Sequence, residues 1–177
     1  MQYGMKLAEG KTKTVYAHPD NPSLAYLVHK DNITAGDGAR RHVIEGKGQV
    51  AGQTTANVFA YLNRHEVPTH FVSALAADVT LVRRCTMIPI EVVMRRLATG
   101  SYLKRHPDTA EGHRFEPPLV EFFLKDDARH DPQISGLEIV KSNIASDVEV
   151  DLFIKLGRQV FELLEQAWAR QGIQLVD

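Results

Sequence analysis

The stretch from Met87 to Ser101 constrains the fold more than any other part of the chain. Its centre is rich in β-branched and apolar residues, which suit the pleated, half-buried surface of a strand. Successive side chains of a strand point to opposite faces. The pattern therefore predicts an apolar face and a charged face, the first with Ile90, Val92 and Met94 and the second with Glu91, Val93 and Arg95.

Thr99-Gly100-Ser101 follows this predicted strand. The guanidinium of Arg95 offers a planar fork of donors that matches phosphate or carboxylate. Gly100 allows backbone to approach a ligand closely, and Ser101 adds a hydroxyl group. Two interpretations fit these residue types: an anion-binding site, or a buried ion pair followed by an ordinary turn.

The N-terminal segment predicts a β-hairpin. Lys6–Tyr16 has the pattern of a strand interrupted at Gly10, and Leu24–Val28 has the pattern of the returning strand. The period of two places Lys11 and Lys13 on the same face of the first strand. Two lysines beside a glycine fit phosphate ligands, but the residues alone favour solvated lysines that protect a sheet edge from pairing.

The remaining pattern predicts a mixed order of helices, strands and loops. Apolar residues recur with a helical period in two segments and alternate in the shorter ones. Ser146 and Glu149 form the pattern of a helix-capping box. The predicted elements are a loop at 31–48, a helix at 47–65, strands at 69–75 and 80–85, a loop at 104–118, a strand at 119–125, a helix from Ser146 to Gln171 and a strand at 173–176.

Three acidic residues, Asp126, Asp127 and Asp131, follow the strand predicted at 119–125. Carboxylate oxygens are the ligands that a hard cation prefers, and magnesium needs only one or two of them besides water and phosphate. Aspartate is also common in turns, because its side chain bonds to nearby backbone. The cluster therefore fits a cation site or plain turn chemistry.

Composition narrows the class of protein. The 177 residues carry a formal net charge of -1, with 44% hydrophobic and 24% charged residues, which is ordinary for a globular protein. This charge creates no field that attracts nucleic acid or an anionic membrane. No apolar run reaches the ~20 residues that span a bilayer. We therefore expect neither nucleic acid nor a membrane as a partner.

Cys85 is the single cysteine of the sequence, so an intramolecular disulfide is excluded. A lone cysteine fits a reducing compartment, and the N-terminus lacks the apolar region of a secretory signal. We therefore expect a cytoplasmic protein. Because Cys85 falls within a predicted strand, we expect a small buried hydrophobic residue there rather than a nucleophile.

Five motifs carry a resemblance to a known family. They are Glu9–Tyr16, Thr34–Arg40, Glu45–Gly48, Ile88–Ser101 and Phe123–Pro132. In this order they resemble the sequences of the phosphoribosylaminoimidazole-succinocarboxamide synthase family, the SAICAR synthetases. Five ordered matches over nearly the whole chain are far more specific than any single motif.

The resemblance implies an α+β fold with two lobes. An antiparallel N-terminal β lobe, similar to the small lobe of kinases, is expected at residues 1–85. A mixed α/β substrate lobe is expected at residues 86–177, with the nucleotide site between the two. The implied activity is an ATP-dependent ligation of purine biosynthesis. It joins L-aspartate to 5-amino-1-(5-phosphoribosyl)imidazole-4-carboxylate and releases the succinocarboxamide, ADP and phosphate.

The resemblance also implies roles for individual residues. The candidates for ATP binding are Gly10, Lys11, Lys13, Arg83, Met87 and Glu91. The candidates that act on the substrates are Arg95, Ser101 and Asp37, and those on the magnesium side are Glu45 and Asp131.

Sequences of the family normally continue beyond a segment like Leu175–Asp177 with further metal-binding and substrate-binding groups. The resemblance therefore implies a substrate lobe that is incomplete at its C-terminal end. An alternative to the ligase is a nucleotide-binding fragment or subunit without independent catalysis. Because the family is commonly oligomeric, a homo-oligomer is also expected.

Overall fold

The computed structural model describes residues 1–35 and 40–177 and divides them into two compact units, Met1–Thr86 and Met87–Asp177. Both units combine helices with antiparallel sheets, which confirms the predicted α+β class. No helix in the described ranges is long and apolar enough to cross a membrane.

The first unit is built on an antiparallel sheet with the strand order β1-β2-β3-β7-β6, and helix α1 packs against β3, β6 and β7. Strands β4 and β5 form a separate antiparallel pair. The elements are β1 (Lys6–Glu9), β2 (Lys13–Ala17), β3 (Leu24–His29), β4 (Asn32–Ala35), β5 (Arg40–Val43), α1 (Lys47–Arg64), β6 (Phe71–Ala76) and β7 (Val79–Arg83).

The chain reverses at Gly10, where the sequence predicted only an interruption of one strand. Strands β1 and β2 pair antiparallel, and the Gly10 amide donates to the carbonyl oxygen of Lys13 at 2.9 Å. Lys11 lies in the turn, so the prediction that Lys11 and Lys13 share a face of one strand was wrong. The strand period was continued across residues at which the chain turns back on itself.

Two other predictions for this unit need correction. The segment 31–48, predicted as a loop, contains β4 and β5 and the first turn of α1. Cys85 follows β7 and is exposed instead of buried. In contrast, the predicted helix at 47–65 and the strands at 69–75 and 80–85 are confirmed within a few residues as α1, β6 and β7.

Helix α1 lies very close to the turn between β6 and β7 at Gly52. A Cβ atom added at Gly52 would lie 2.2 Å from the carbonyl oxygen of Ala77 and 2.8 Å from the Cα of Asp78. These are backbone atoms, so a change of rotamer does not remove the clash. The helix can lie this close to the sheet because residue 52 has no side chain.

We expect Gly52→Ala to lower the free energy of unfolding by about 1–3 kcal/mol, as other overpacked sites do. Alanine is normally about 1 kcal/mol more favourable than glycine in a helix. A loss of stability in this variant would therefore identify the clash as its cause. Denaturant titration checks the result. Gly10→Ala is the control, because its added Cβ meets only the Lys13 oxygen, at 3.8 Å. A stabilised Gly52→Ala variant would contradict the close packing of α1.

The second unit is built on a sheet with the strand order β10-β9-β8. Helix α4 begins with the predicted capping box, in which Ser146 and Glu149 each accept the amide hydrogen of the other residue. The elements of the second unit are β8 (Ile90–Leu97), α2 (Gly100–Arg105), β9 (Arg114–Leu124), a 3₁₀ turn (Asp127–Arg129), β10 (Gln133–Ile134), α3 (Gly136–Lys141) and α4 (Asp147–Ala169).

Two predicted boundaries of this unit differ from the structure. Strand β9 begins at Arg114, inside the segment 104–118 that was predicted as a loop. The strand predicted at 173–176 is not formed, although the Val176 carbonyl oxygen accepts the Arg96 amide at 2.8 Å. One hydrogen-bonded residue beside β8 is not enough for a strand.

The two predicted faces of β8 are confirmed. On the apolar face, Val92 lies opposite Phe122 of β9, and Met94 lies so close to α4 that a Cβ atom at Gly157 would be 2.3 Å from its Cε. On the other face, Arg95 lies opposite Leu119. The apolar face packs against a core formed by Phe122, Ile139, Ala145 and Val150.

Arg96 joins β8 to helix α4. Its Nε and Nη2 donate to the two carboxylate oxygens of Glu165 at 2.7 and 2.8 Å. Its Nη1 donates to the carbonyl oxygen of Phe115 at 2.9 Å. A guanidinium and a carboxylate match in this bidentate geometry. The pair therefore neutralises both charges and also fixes the position of α4 against the strand.

The pair predicts a dependence of stability on pH. Hydrogen bonding to Arg96 holds the pKa of the Glu165 carboxyl below the ordinary value. A carboxyl whose pKa is lowered by folding stabilises the native state above its unfolded pKa, which is about 4.3 for glutamate, and loses that contribution as the pH falls.

We therefore expect the difference in unfolding free energy between the wild type and Glu165→Gln to be largest near neutral pH. It should shrink as the pH falls below the unfolded pKa of glutamate, at about 4.3. Urea titrations at a series of pH values measure the difference. A difference that stays constant down to acidic pH would show that the charge of Glu165 does not stabilise the fold.

Candidate functional site

Arg95 and Glu121 form a buried ion pair on the charged face of the β8–β9 sheet. Arg95 is 5% exposed and Glu121 is 4% exposed. The Nε of Arg95 donates to Oε2 of Glu121 at 2.5 Å. Burial of either charge alone would be unfavourable by several kcal/mol, so the pairing explains how both are tolerated. A buried ion pair on this face was one interpretation of the sequence, with Glu91 as the carboxylate beside Arg95. Arg95 instead pairs with Glu121, and Glu91 is half exposed and contacts Lys125.

The terminal nitrogens of Arg95 point to groups other than Glu121. Its Nη1 donates to Oδ2 of Asp177 at 2.5 Å, and its Nη2 lies 3.4 Å from Oγ of Ser101. Ser101 stands in the first turn of α2, directly after the strand. The structure thus brings together Arg95 and Ser101, the two residues predicted to bind a substrate anion.

Arg105 is a second guanidinium at this site. Its Nη2 donates to Oε1 of Glu121 at 2.5 Å, and its Nη1 donates to the carbonyl oxygen of Ser101 at 3.1 Å. Its Cζ lies 5.0 Å from the centre of the Phe123 ring, a cation–π distance. The Nε of Arg105 is buried and has no hydrogen-bond partner.

Glu121 and Arg105 were missed by the sequence analysis. A signal for Glu121 did exist, because it is the one charged residue in the run Leu119–Leu124. A charge within a buried strand requires a partner. The sequence does not identify the partner, since Arg95 is 26 residues away along the chain.

Glu91 and Asp131 lie on either side of one ammonium group. The Nζ of Lys125 is 3.2 Å from Oε2 of Glu91 and 2.7 Å from Oδ2 of Asp131. Hydrogen bonds to Asp131 and then Glu91 raise the pKa of Lys125 above its ordinary value. Oδ1 of Asp131 also accepts the Asp126 amide at 2.7 Å. All three side chains are partly exposed.

Asp131 fits the role of a magnesium ligand because its carboxylate, together with that of Glu91, already stabilises the positive charge of Lys125. Magnesium needs one or two carboxylates besides phosphate and water. In the part of the chain that the structure describes, no group of three potential metal ligands is assembled by the protein alone. Glu45 lies exposed in the turn before α1.

Three of the predicted nucleotide residues of the first unit lie around the turn between β1 and β2. Gly10 and Lys11 are in this turn, and Lys13 begins β2 opposite His29. Lys11 and Lys13 are both exposed. The neighbouring Glu9 is bound by the Nζ of Lys6 at 2.8 Å and that of Lys30 at 2.9 Å, which lowers the pKa of its carboxyl to about 2.

Three predicted site residues remain to be placed. Arg83 ends β7, and its Nη1 donates to the carbonyl oxygen of Thr69 at 3.0 Å. Met87 lies in the irregular segment before β8 and is 83% exposed, which leaves its side chain available for contact. Asp37 lies outside the described residues.

Comparison with known proteins identifies the family. A family model described as SAICAR synthetase matches residues 6–177. The phosphoribosylaminoimidazole-succinocarboxamide synthase of Roseiflexus castenholzii is 64% identical over 177 residues, which are 100% of this chain and 71% of that protein. A bifunctional relative from Drosophila melanogaster is 44% identical over 180 residues, which cover 98% of this chain and 42% of its own length.

Solved structures agree with this result. The phosphoribosylaminoimidazole-succinocarboxamide synthase of Ehrlichia chaffeensis has a TM-score of 0.91 and 32% identity, over 97% of this chain and 72% of its own. A SAICAR synthetase in complex with ADP has a TM-score of 0.87 and 32% identity, over 96% of this chain and 71% of its own. The matched residues and the shared fold together show that the chain belongs to the SAICAR synthetase family.

Proposed function

We propose that this chain is an ATP-dependent ligase of purine biosynthesis. It joins L-aspartate to 5-amino-1-(5-phosphoribosyl)imidazole-4-carboxylate, the ribonucleotide substrate, and produces the succinocarboxamide, ADP and phosphate. The observation that carries the proposal is 64% identity over the whole chain to synthases named for this reaction. The neighbouring structure with bound ADP supports a nucleotide as cosubstrate.

The chemistry explains why ATP is needed. A carboxylate is a poor electrophile because of its delocalised negative charge, and hydroxide or oxide is in addition a poor leaving group. Transfer of the terminal phosphoryl group of ATP to a carboxylate oxygen forms an acyl phosphate and releases ADP. The amine of aspartate then attacks the acyl carbon, a C–N bond forms, the nitrogen loses a proton, and phosphate leaves with the electrons of the C–O bond. An enzyme contributes mainly positioning and charge neutralisation to phosphoryl transfer.

We assign the phosphates of ATP to Lys11 and Lys13, which are exposed beside the Gly10 turn. Arg83, Met87 and Glu91 are further candidates for nucleotide contacts. Magnesium neutralises phosphate charge when bound, and Glu45 and Asp131 are the carboxylates proposed to hold it. The exposed thiol of Cys85 is compatible with a reducing compartment, and we place the enzyme in the cytoplasm.

We assign an anionic group of the ribonucleotide substrate, its phosphate or its carboxylate, to Arg95 and Ser101. Two terminal nitrogens of Arg95 and the hydroxyl of Ser101 are donors within one small region. Charge-assisted hydrogen bonds of this kind are about twice as strong as neutral ones. Asp37 is proposed as a residue of the substrate loop.

A turnover assay tests the proposed function. The protein is supplied with magnesium, ATP, L-aspartate and the ribonucleotide substrate, and ADP and succinocarboxamide are measured together. We expect both products to form in equal amounts and only when aspartate is present. ATP binding without product would instead support a nucleotide-binding subunit, and failure to bind ATP would contradict both functions.

Lys13→Ala tests the nucleotide assignment. We expect the KM for ATP to rise by about 10-fold or more, because a charge-assisted hydrogen bond contributes about 1.5–3 kcal/mol. Lys6→Ala is the matched control, since Lys6 is also an exposed lysine of this small sheet but binds Glu9. Equal KM values for ATP in the two variants would exclude Lys13 from the phosphate site.

A further inference from the structure

Glu121 is a buried carboxylate that binds two arginines. Its Oε2 accepts a hydrogen bond from Nε of Arg95, and its Oε1 accepts one from Nη2 of Arg105, both at 2.5 Å. Oε1 also lies 3.3 Å from Nε2 of Gln133. One buried side chain of β9 therefore fixes two guanidinium groups, one on β8 and one on α2.

These contacts close into a ring through Ser101. The hydroxyl of Ser101 lies 3.4 Å from Nη2 of Arg95, and its carbonyl oxygen accepts Nη1 of Arg105 at 3.1 Å. Glu121, Arg95, Ser101 and Arg105 thus hold one another in a closed cycle. A shift of either guanidinium would move Ser101, because both arginines contact that residue through different atoms.

The ring has more positive than negative charge. Arg95 and Arg105 share a single buried carboxylate, so Glu121 cannot neutralise both. The other carboxylate on Arg95 belongs to Asp177, whose side chain is 47% exposed. The Asp177 side chain reaches solvent, so an incoming anion can take its place on Nη1 of Arg95 and leave the Asp177 carboxylate solvated. The donors of the ring are thus suited to an anionic ligand.

We propose that Glu121 is a positioning residue for the ribonucleotide substrate. Its carboxylate holds Arg95 directly, and it holds the first turn of α2 through Arg105. The guanidinium of Arg95 and the hydroxyl of Ser101 are thereby kept ready for one anionic group. The inference rests on the proposed function and extends it, because it assigns a role to a buried residue that need not touch any substrate.

Preorganisation is the physical reason for the effect. Binding is weakened when flexible side chains must be ordered, by about 0.5–1.5 kcal/mol for each long side chain. Two arginines that are already fixed by Glu121 avoid this loss. In metal sites, residues that orient the direct ligands commonly change affinity or activity by about 10–100-fold when they are replaced, and we expect an effect of the same order here.

The test compares Glu121→Gln with Glu165→Gln. Both changes replace an arginine-bound carboxylate by a neutral amide of the same shape, and Glu165 binds Arg96, not Arg95. Calorimetry measures the Kd of the ribonucleotide substrate, and steady-state kinetics measure the KM for ATP. We expect Glu121→Gln to raise this Kd by about 10–100-fold and to leave the KM for ATP nearly unchanged. Glu165→Gln should lower stability and leave both values unchanged in the folded protein.

Two further variants keep the test decisive if Glu121→Gln folds poorly. Glu121→Asp retains the charge but is too short to reach both arginines, so the Kd should lie between those of the wild type and Glu121→Gln. Arg105→Met removes the link to Ser101 and leaves the pair of Arg95 and Glu121; its side chain is 29% exposed, so it is more easily tolerated. A raised Kd for the ribonucleotide substrate in folded Arg105→Met supports the role of the ring in substrate binding.

The outcomes separate this inference from the proposed function. If the wild type binds the ribonucleotide substrate and the folded Glu121 and Arg105 variants bind it equally well, the positioning role is wrong and the ligase proposal stands. Equal effects of Glu121→Gln and Glu165→Gln on the Kd also overturn the positioning role. A wild type that neither binds nor converts this substrate overturns both proposals.

Discussion

Arg95→Ala is expected to lower the turnover of the folded protein by about 100-fold or more, because the substrate anion loses a charged donor that positions it. The variant loses the two terminal nitrogens that face Ser101 and Asp177. It also removes one partner of Glu121, so the free energy of unfolding should fall by about 3 kcal/mol. Arg105 and Gln133 still bind Glu121 and limit the loss.

Turnover must be measured per folded molecule, with circular dichroism to determine the folded fraction at the assay temperature. Arg95→Lys is the companion variant, because it keeps the positive charge and loses the planar fork of donors. We expect its stability to be closer to that of the wild type and its turnover to remain strongly reduced. If lost activity merely follows lost folding in both variants, Arg95 is an ion-pair residue without a part in substrate binding.

Arg96→Ala should have the opposite profile, with a loss of about 3–5 kcal/mol in the free energy of unfolding. Arg96 is as deeply buried as Arg95, but it bonds to both oxygens of Glu165 and to the Phe115 carbonyl. Its removal leaves the partly buried carboxylate of Glu165 and the carbonyl of Phe115 without this donor. Turnover per folded molecule should change little, because Arg96 does not contact Ser101 or Glu121.

A double-mutant cycle with Glu165 determines the origin of this loss. Replacement of Arg96 and Glu165 together by methionine removes both charges, and apolar replacements of a buried pair are often neutral or stabilising. We therefore expect the double variant to be more stable than Arg96→Met alone. Denaturant midpoints measure both variants. A double variant as unstable as the sum of the single changes would show that packing, and not the unpaired charge, causes the loss.

Much of the fold follows from local patterns that the sequence displays. The alternation along Ile90–Leu97 predicts the two faces of β8, and the residues Ser146 and Glu149 predict the start of α4. These predictions succeed because strand alternation and helix capping depend on residues close together in the chain. The turn at Gly10 was missed for the same reason, since continued alternation and a tight reversal look alike over so few residues.

The sequence by itself determined the α+β class, the opposite faces of β8 and, through its motifs, the family and its candidate residues. Only the tertiary structure decided which carboxylate binds each arginine. Arg95 and Arg96 are neighbours in the chain, yet one is held by Glu121 on β9 and the other by Glu165 on α4. The reason is physical: a buried charge is stabilised by the partner that folding brings within hydrogen-bond distance, and that partner can lie anywhere along the chain.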